Sequence, residues 1–158
     1  MIKGIIGIDP GKSGGLCVYN GKDIVKAIPC PSSILDMADS VRVTLNNFEI
    51  EGISSKSIPV LIEHVHAFPT DSRSSSFKFG TNYGMWLGIF ASFGLHVETV
   101  VPVVWMRKYG ELPKAKAERK RYLKVLALSF FPDNKITLKT ADAILIAKYG
   151  FEELEWSF

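Results

Sequence analysis

Two short apolar runs that each end on a carboxylate constrain the fold of this chain most. Residues 3–9 read KGIIGID and are stopped by Pro10 and Gly11, and residues 59–63 read PVLIE. Apolar, β-branched runs of this length predict strands that are buried on both faces. If the two strands are parallel neighbours, Asp9 and Glu63 emerge together at the carboxyl edge of the sheet, where ligands bind in α/β folds.

The other patterns predict an α/β fold with a five-stranded mixed sheet flanked by helices. Asn20-Gly21 predicts a hairpin, so the first three strands are expected to form an antiparallel meander. The 158 residues contain no linker or repeat, and they predict a single domain over 1–158. The patterns predict strands over 3–9, 14–19, 23–28, 59–63 and 96–101, a polar loop over 70–76, and helices over 33–48, 77–93, 103–109, 115–130 and 140–151.

Several classes of protein are disfavoured. Cys17 and Cys30 have no zinc-site spacing and are interpreted as reduced, buried thiols of a cytoplasmic protein. The N-terminal apolar run is too short for a signal peptide or a membrane span, so no membrane partner is expected. Around Gly11 the chain resembles a P-loop, but Ile6 stands where that motif needs glycine, which excludes the P-loop.

The charge is distributed unevenly along the chain. Between Arg107 and Lys148, eleven basic residues face four acidic ones, a balance of +7; because the total is +3, the remainder carries −4. A basic half joined to an acidic half indicates a polyanionic partner such as nucleic acid. The alternative is a solvated charged helix face, which is the commoner explanation of a charge run taken alone.

Three acids are candidates for a metal site: Asp9, Glu63 and Asp142, the last near the start of the final predicted helix. Carboxylates brought together repel one another unless a cation neutralises them, and oxygen-only ligands suit Mg²⁺, for which Mn²⁺ can substitute. Each acid also has an ordinary explanation: a turn residue at Asp9, an ion pair at Glu63, and a favourable helix dipole at Asp142. Taken together beside a basic region, they favour the metal site.

The ordered set of motifs resembles RuvC-type Holliday junction resolvases, especially small bacteriophage versions. The resemblance rests on the following segments: Gly7-Ile8-Asp9-Pro10-Gly11, Ile62-Glu63, residues 75–80 (SSFKFG) with Tyr83-Gly84, Pro102 with Trp105, and residues 139–147 (KTADAILIA). It implies an RNase H-like fold and a homodimer that nicks a four-way junction symmetrically. It also implies a place in DNA recombination and repair, in the cytoplasm of a bacterium or a phage-infected cell.

The resemblance also implies roles for individual residues. Asp9, Glu63 and Asp142 would be the metal ligands of a two-metal phosphodiester hydrolysis, with Lys116 or a basic neighbour neutralising charge on the phosphate. Many relatives have an acid or a histidine three residues before the last aspartate, where this chain has Lys139. Lys139 is expected one helical turn before Asp142, near the scissile phosphate or a metal position.

Further residues are predicted to contact DNA or a second subunit. The cationic stripe, Lys116, Lys120 and Lys124 at every fourth position, should bind phosphates. Other predicted DNA contacts are Arg73, Lys78, Lys114, Arg119 and Lys139, with His66 and Phe68 as candidates to separate bases at the crossover; for Phe68, ordinary packing is the alternative. The predicted two-fold interface comprises Phe77, Phe79, Tyr83, Trp86 and Phe90, beside glycines spaced by four; burial within one domain is the alternative.

Three other functions are alternatives to this one, and the first two remain open. The chain could be an inactive RNase H-like module that binds branched nucleic acid, a possibility that Lys139 supports. It could be a non-specific exonuclease of the same fold, which would digest linear DNA without needing the two-fold interface. A phosphotransferase of the actin and sugar-kinase type needs two such lobes, and 158 residues hold one.

Overall fold

The computed structural model describes residues 1–64, 66 and 71–156. Its sheet has five strands in the order β3-β2-β1-β4-β5: β1 Ile5–Asp9, β2 Gly15–Tyr19, β3 Ile24–Pro29, β4 Val60–Glu63 and β5 Val97–Val100. The first three strands are antiparallel neighbours, and β4 runs parallel to β1 and β5. The mixed sheet, the meander and the adjacency of β1 and β4 are therefore confirmed.

Within the described residues, five α-helices cover the two faces of this sheet: α1 Ile34–Ile50, α2 Arg73–Ser92, α3 Pro102–Arg107, α4 Lys116–Phe130 and α5 Ala141–Glu153; a short 3-10 helix, Ser55–Ser57, precedes β4. One buried core joins the sheet to α1 and α2, and a second joins it to α3, α4 and α5. Gly7 allows α5 to approach β1 closely, because a Cβ there would lie 2.5 Å from the Ala143 carbonyl oxygen. In the described part of the chain, no helix is long and apolar enough to cross a membrane.

The alternation of side chains along the strands determines where the carboxylates point. Ile5 and Leu61 both pack in the core on the α5 side of the sheet. Successive strand residues face opposite sides, so Asp9 and Glu63, which lie an even number of residues further, point to the α5 side as well. The register pairs Ile8 with Ile62, so both acids lie at the same carboxyl edge.

The predicted polar loop over 70–76 is wrong for its second half. Helix α2 begins at Arg73, and its N-cap Ser72 accepts a hydrogen bond of 3.1 Å from the amide of Ser75. A capping serine satisfies an amide that the first helical turn would otherwise leave unpaired. The apolar pattern is missing from this turn because its side chains are largely exposed, so periodicity alone could not detect the helix.

Candidate active site

The three predicted acids converge where β1, β4 and α5 meet. Asp9 ends β1, Glu63 ends β4, and Asp142 lies in the first turn of α5. Asp9 is 7% exposed and Asp142 is 3% exposed, and Glu63 is half-buried. Charged carboxyl groups are rarely buried unless a partner compensates them, so this cluster requires a cation.

Lys120 of α4 supplies a positive charge to this cluster. Its Nζ lies 3.2 Å from Oδ2 of Asp9 and also forms a short contact with Oδ2 of Asp142. Lys120 was predicted to bind DNA phosphates as part of the exposed cationic stripe. In the structure its half-buried ammonium bridges two of the acids instead, because the turn of α4 that carries it packs toward the sheet edge.

Burial sets the protonation behaviour of the acids. Burial raises the pKa of Asp9 to about 6, an effect that the charges of Lys120 and Lys116 oppose and that of Asp142 reinforces. Burial also raises the pKa of Glu63 to about 7; the negative charge of Asp9 adds to this, and a hydrogen bond from Trp105 opposes it. Burial alone would lower the pKa of Lys120, but the charges of Asp9 and Asp142 raise it, so the ammonium stays protonated.

Trp105 holds Glu63 in place. Its Nε1 donates a hydrogen bond of 2.7 Å to Oε2 of Glu63, and the indole is fully buried between α3 and the sheet. Such a contact orients one oxygen of the carboxylate and leaves the other available. No role was predicted for Trp105, although Pro102 with Trp105 was part of the resemblance, because the sequence does not show that α3 packs beside the end of β4.

The turn after Asp9 is fixed by contacts from α2. Oδ1 of Asn82 accepts a hydrogen bond of 2.7 Å from the amide of Gly11. Gly11 has a φ of +106° and faces the ring of Phe79, and a Cβ at Gly14 would lie 1.9 Å from the Asp9 carbonyl oxygen. Glycine is therefore required at both positions if Asp9 is to keep its orientation. Asn82 was not predicted, because it is distant in sequence from the turn that it fixes.

The acids provide a suitable donor set for a magnesium ion but are not drawn together around one. Within residues 1–64, 66 and 71–156, no three His, Cys, Asp or Glu side chains lie close enough to hold a metal. Oδ1 of Asp142 is nevertheless buried without a hydrogen-bond partner in this part of the chain, an arrangement that is costly unless a ligand compensates it. Two buried aspartates and a glutamate oriented by Trp105 fit a hard cation with oxygen ligands.

Among solved structures, the chain is similar to RuvC of Thermus thermophilus. It matches the structure of T. thermophilus RuvC in complex with Holliday junction substrate at a TM-score of 0.61 and 16% identity, over 94% of this chain and 92% of that chain. A second Thermus thermophilus RuvC structure matches at a TM-score of 0.58 and 18% identity, over 94% and 93%. The chain has a RuvC-like fold. No protein-family model and no curated protein matches the sequence.

The predicted RNase H-like architecture is thereby confirmed. The structure also places the two predicted lysines Lys116 and Lys139. Lys116 is exposed at the start of α4, one turn before Lys120, so Lys120 and not Lys116 is the cation in contact with the carboxylates. Lys139 is exposed and precedes α5, so its predicted place one turn earlier on that helix is wrong. Lys139 lies instead in the turn between Thr137 and Thr140, whose side chains and backbone hydrogen-bond to each other, and α5 begins after this turn at Ala141.

The remaining predicted DNA contacts lie at or near the surface. Arg73 and Lys78 are exposed on α2, His66 is exposed, and Lys114 is exposed just before α4. Arg119 and Lys124 are half-buried on α4. Phe68 lies outside the described residues. These placements are compatible with contact to a polyanion, and the contacts themselves stay predictions.

The predicted two-fold interface is partly wrong. Trp86 and Phe90 are 0% exposed and stack on each other at 5.5 Å between ring centroids within the domain core. They cannot also contact a second subunit, since packing against α1 and the sheet already covers them. Phe77 is 76% exposed, and a Cβ at Gly80, Gly84 or Gly88 would meet no atom of the described residues within 4 Å. The outer face of α2 is therefore open.

Proposed function

We propose that this chain is a Holliday junction resolvase, a metal-dependent endonuclease that cuts branched DNA. The observation that carries the proposal is the convergence of Asp9, Glu63 and Asp142 at one edge of a RuvC-like sheet. A similar protein of this fold has been solved with a Holliday junction substrate, which supports branched DNA as the substrate class. The basic region from Arg107 to Lys148 supports a polyanionic ligand.

Asp9, Glu63 and Asp142 would hold the divalent cation, for which Mg²⁺ is the best fit and Mn²⁺ a substitute. When bound, Mg²⁺ activates water and offsets charge on a phosphodiester. Trp105 keeps one oxygen of Glu63 occupied, so the carboxylate presents its other oxygen to the site. The turn at Gly11 and Gly14 keeps the Asp9 side chain facing the same point.

Lys120 has a second role in this proposal. Its ammonium is held by two carboxylates in the protein alone, and it must be shared or released when those carboxylates gain another cation. A protonated lysine at this position can then donate a hydrogen bond to a phosphate oxygen and stabilise developing negative charge. Lys120 therefore takes the role that the resemblance assigned to Lys116 or a neighbour.

A homodimer would supply two such sites for a two-fold symmetric junction. The open face of α2, with Phe77 beside Gly80, Gly84 and Gly88, is the surface that we propose for it; Phe79 packs against Gly11 and Tyr83 against the core, so they do not belong to this face. Small residues let two helices approach closely, and exposed aromatic rings gain most from being covered. A two-fold interface uses the same patch on both subunits, which this single helix face satisfies.

The test compares cleavage of a synthetic immobile four-way junction with cleavage of a linear duplex of matched sequence. Wild type should make paired nicks in the junction with Mg²⁺ and none with EDTA. Asp9→Asn should bind the junction but reduce cleavage at least about a thousandfold. The matched control is Asp39→Asn, which removes an exposed aspartate of α1 that pairs with Arg42 and should cleave normally.

The position of Lys120 supports a second function, that of an inactive module that binds junctions. Lys120 occupies the space between Asp9 and Asp142, and the acids of the described residues do not form a ready-made metal cluster. Such a module would bind the junction tightly in Mg²⁺ and in Mn²⁺ without cutting it. Digestion of linear DNA from its ends would contradict both functions and point to an exonuclease.

A further inference from the structure

An open groove of about 600 Å³ lies between α3 and the start of α4, and no role has been given to it so far. Its lining has an apolar part and a cationic part. The apolar part includes Val103, Met106 and Leu112 and is called the floor below; the cationic part is Arg107, Lys114 and Arg119 and is called the rim. Val103 is 61% exposed, so this apolar surface is open to solvent.

The groove adjoins the carboxylate site. Trp105 contacts Glu63, and the next residue, Met106, lines the groove. Lys120 contacts Asp9, and the preceding residue, Arg119, lines the groove. Consecutive helical residues point in directions about 100° apart. One turn of α3 and one turn of α4 can therefore each contribute one residue to the carboxylate site and the next residue to the groove.

The cationic rim is a built feature. Arg119 Nη1 donates hydrogen bonds to the carbonyl oxygens of Lys114, at 2.9 Å, and Pro113, at 3.3 Å. These bonds tie the backbone of Pro113 and Lys114 to Arg119, so the segment that carries Lys114 is held against α4. No acid lines the groove in the described part of the chain, so its field attracts anions.

We propose that this groove binds one unpaired nucleotide of the DNA strand whose neighbouring phosphate lies at the carboxylate site. The base would pack on the apolar floor, and its flanking phosphates would contact Arg107, Lys114 and Arg119. The proposal rests on the proposed function, which places a strand at the carboxylates, and on the adjacent residues Trp105–Met106 and Arg119–Lys120, which connect that site to the groove. Enzymes that hold an extruded base place it against apolar side chains in this way.

A nucleotide fits these features better than an acidic peptide. Its base presents an apolar face to the floor while its phosphates reach the rim, whereas an acidic peptide uses the rim alone and leaves the floor uncovered. The groove should therefore bind an oligonucleotide with bases more tightly than one without them. This preference can be measured by binding alone, without cleavage.

The experiment measures binding by fluorescence anisotropy in EDTA, with a short thymidine oligonucleotide and an abasic oligonucleotide of the same length and charge. Wild type should bind the thymidine probe about tenfold more tightly, the low end of what one base contributes when it stacks on an aromatic side chain, because this floor is aliphatic. Val103→Asp should reduce that ratio to nearly one. The matched control is Val125→Asp, an equally charged change at a 65% exposed valine of α4 that does not line the groove; it should keep the ratio.

Thermal melts identify any variant that fails to fold, and Val103→Thr, a smaller change, should then lower the ratio in the same direction. Equal binding of the two probes by wild type would overturn the proposal. So would an equal loss of the ratio in Val125→Asp, which would indicate a general charge effect. A glutamate-rich peptide that binds more tightly than the thymidine probe, and does so only when Val103 is intact, would assign the groove to a protein partner instead.

The experiments distinguish a failure of the groove hypothesis from a failure of the proposed function. Cleavage of the four-way junction by wild type without a base preference would overturn the groove alone. A base preference that Val103→Asp abolishes, in a protein that never cuts the junction with Mg²⁺ or Mn²⁺, would support the groove and overturn the nuclease.

Discussion

Lys120 and Asp9 lie 111 positions apart in sequence, yet the lysine Nζ is 3.2 Å from the aspartate Oδ2. The same ammonium contacts Asp142, so one half-buried cation balances two buried acids. This contact stabilises the protein alone and places a positive charge where a phosphodiester would arrive. The two effects can be separated, because one is measured on the folded protein and the other during cleavage.

We expect Lys120→Met to reduce junction cleavage about a hundredfold or more, because a hydrogen-bond donor to the phosphate is lost. In EDTA it should also lower the free energy of unfolding by about 2 kcal/mol, since Asp9 and Asp142 lose their shared cation. Mg²⁺ should raise the melting temperature of the variant more than that of wild type. Cleavage rates and thermal melts with and without Mg²⁺ check these effects.

The control for this variant is Lys124→Met, one turn further along α4, because within the described residues Lys124 forms no ion pair with a carboxylate. It should weaken junction binding modestly and leave the metal-free stability unchanged. Wild-type stability and cleavage in Lys120→Met would contradict the assignment of Lys120.

Glu63 should make the metal-free protein less stable as the pH rises. Its pKa is raised from 4.5 to about 7, chiefly by burial, so the folded protein keeps a proton that the unfolded chain has lost. Between these values the folded state binds more protons, and its stability therefore falls with increasing pH. Glu63→Gln, which keeps an acceptor for Trp105, should be more stable than wild type near pH 8 by on the order of 2 kcal/mol, or several degrees in melting temperature.

Below about pH 4.5, Glu63→Gln and wild type should have similar melting temperatures, because Glu63 of the wild type is then protonated in both the folded and the unfolded state. Glu49→Gln, which changes an exposed acid on α1, serves as the control and should melt like wild type near pH 8 as well. A constant difference between Glu63→Gln and wild type across the whole pH range would contradict the pKa as its cause.

The central strands could be predicted from the sequence because their patterns are local. The isoleucine-rich β1, the apolar β4 and the Asn20-Gly21 hairpin each carry their own signal, and parallel packing of β1 with β4 then brings Asp9 to Glu63. The contacts of Trp105 and Lys120 could not be predicted, because they depend on how α3 and α4 pack on the sheet. Trp86 and Phe90 were misassigned because hydrophobicity on several faces of a helix does not say which face meets the core.

Trp105→Phe should weaken metal binding without disturbing DNA binding. Loss of the 2.7 Å hydrogen bond to Glu63 frees that carboxylate to rotate. Loss of such an orienting contact costs about tenfold or more in metal affinity, so half-maximal cleavage should need correspondingly more Mg²⁺. Mg²⁺ titrations of cleavage, beside junction binding measured in EDTA, check this.

Trp86→Phe is the matched control, because Trp86 is equally buried and its Nε1 has no hydrogen-bond partner within the described residues. Both variants lose a similar side-chain volume, but only Trp105→Phe also loses a hydrogen bond. The free energy of unfolding of Trp105→Phe should therefore be lower than that of Trp86→Phe by about 1 kcal/mol. An equal rise in the Mg²⁺ requirement of both variants would indicate general loosening of the core.

If the chain forms the proposed homodimer through α2, Phe77→Glu should convert it to a monomer. Phe77 is 76% exposed on the open face of α2, and a glutamate there would place two like charges at the centre of the proposed two-fold interface. Sedimentation velocity should show at least about a hundredfold weaker association, and paired nicks in a junction should become single, uncoordinated nicks. Leu35→Glu is the control, since Leu35 is also 76% exposed but lies on α1. If Leu35→Glu dissociates the dimer and Phe77→Glu does not, the interface lies on α1 and the assignment of α2 is wrong.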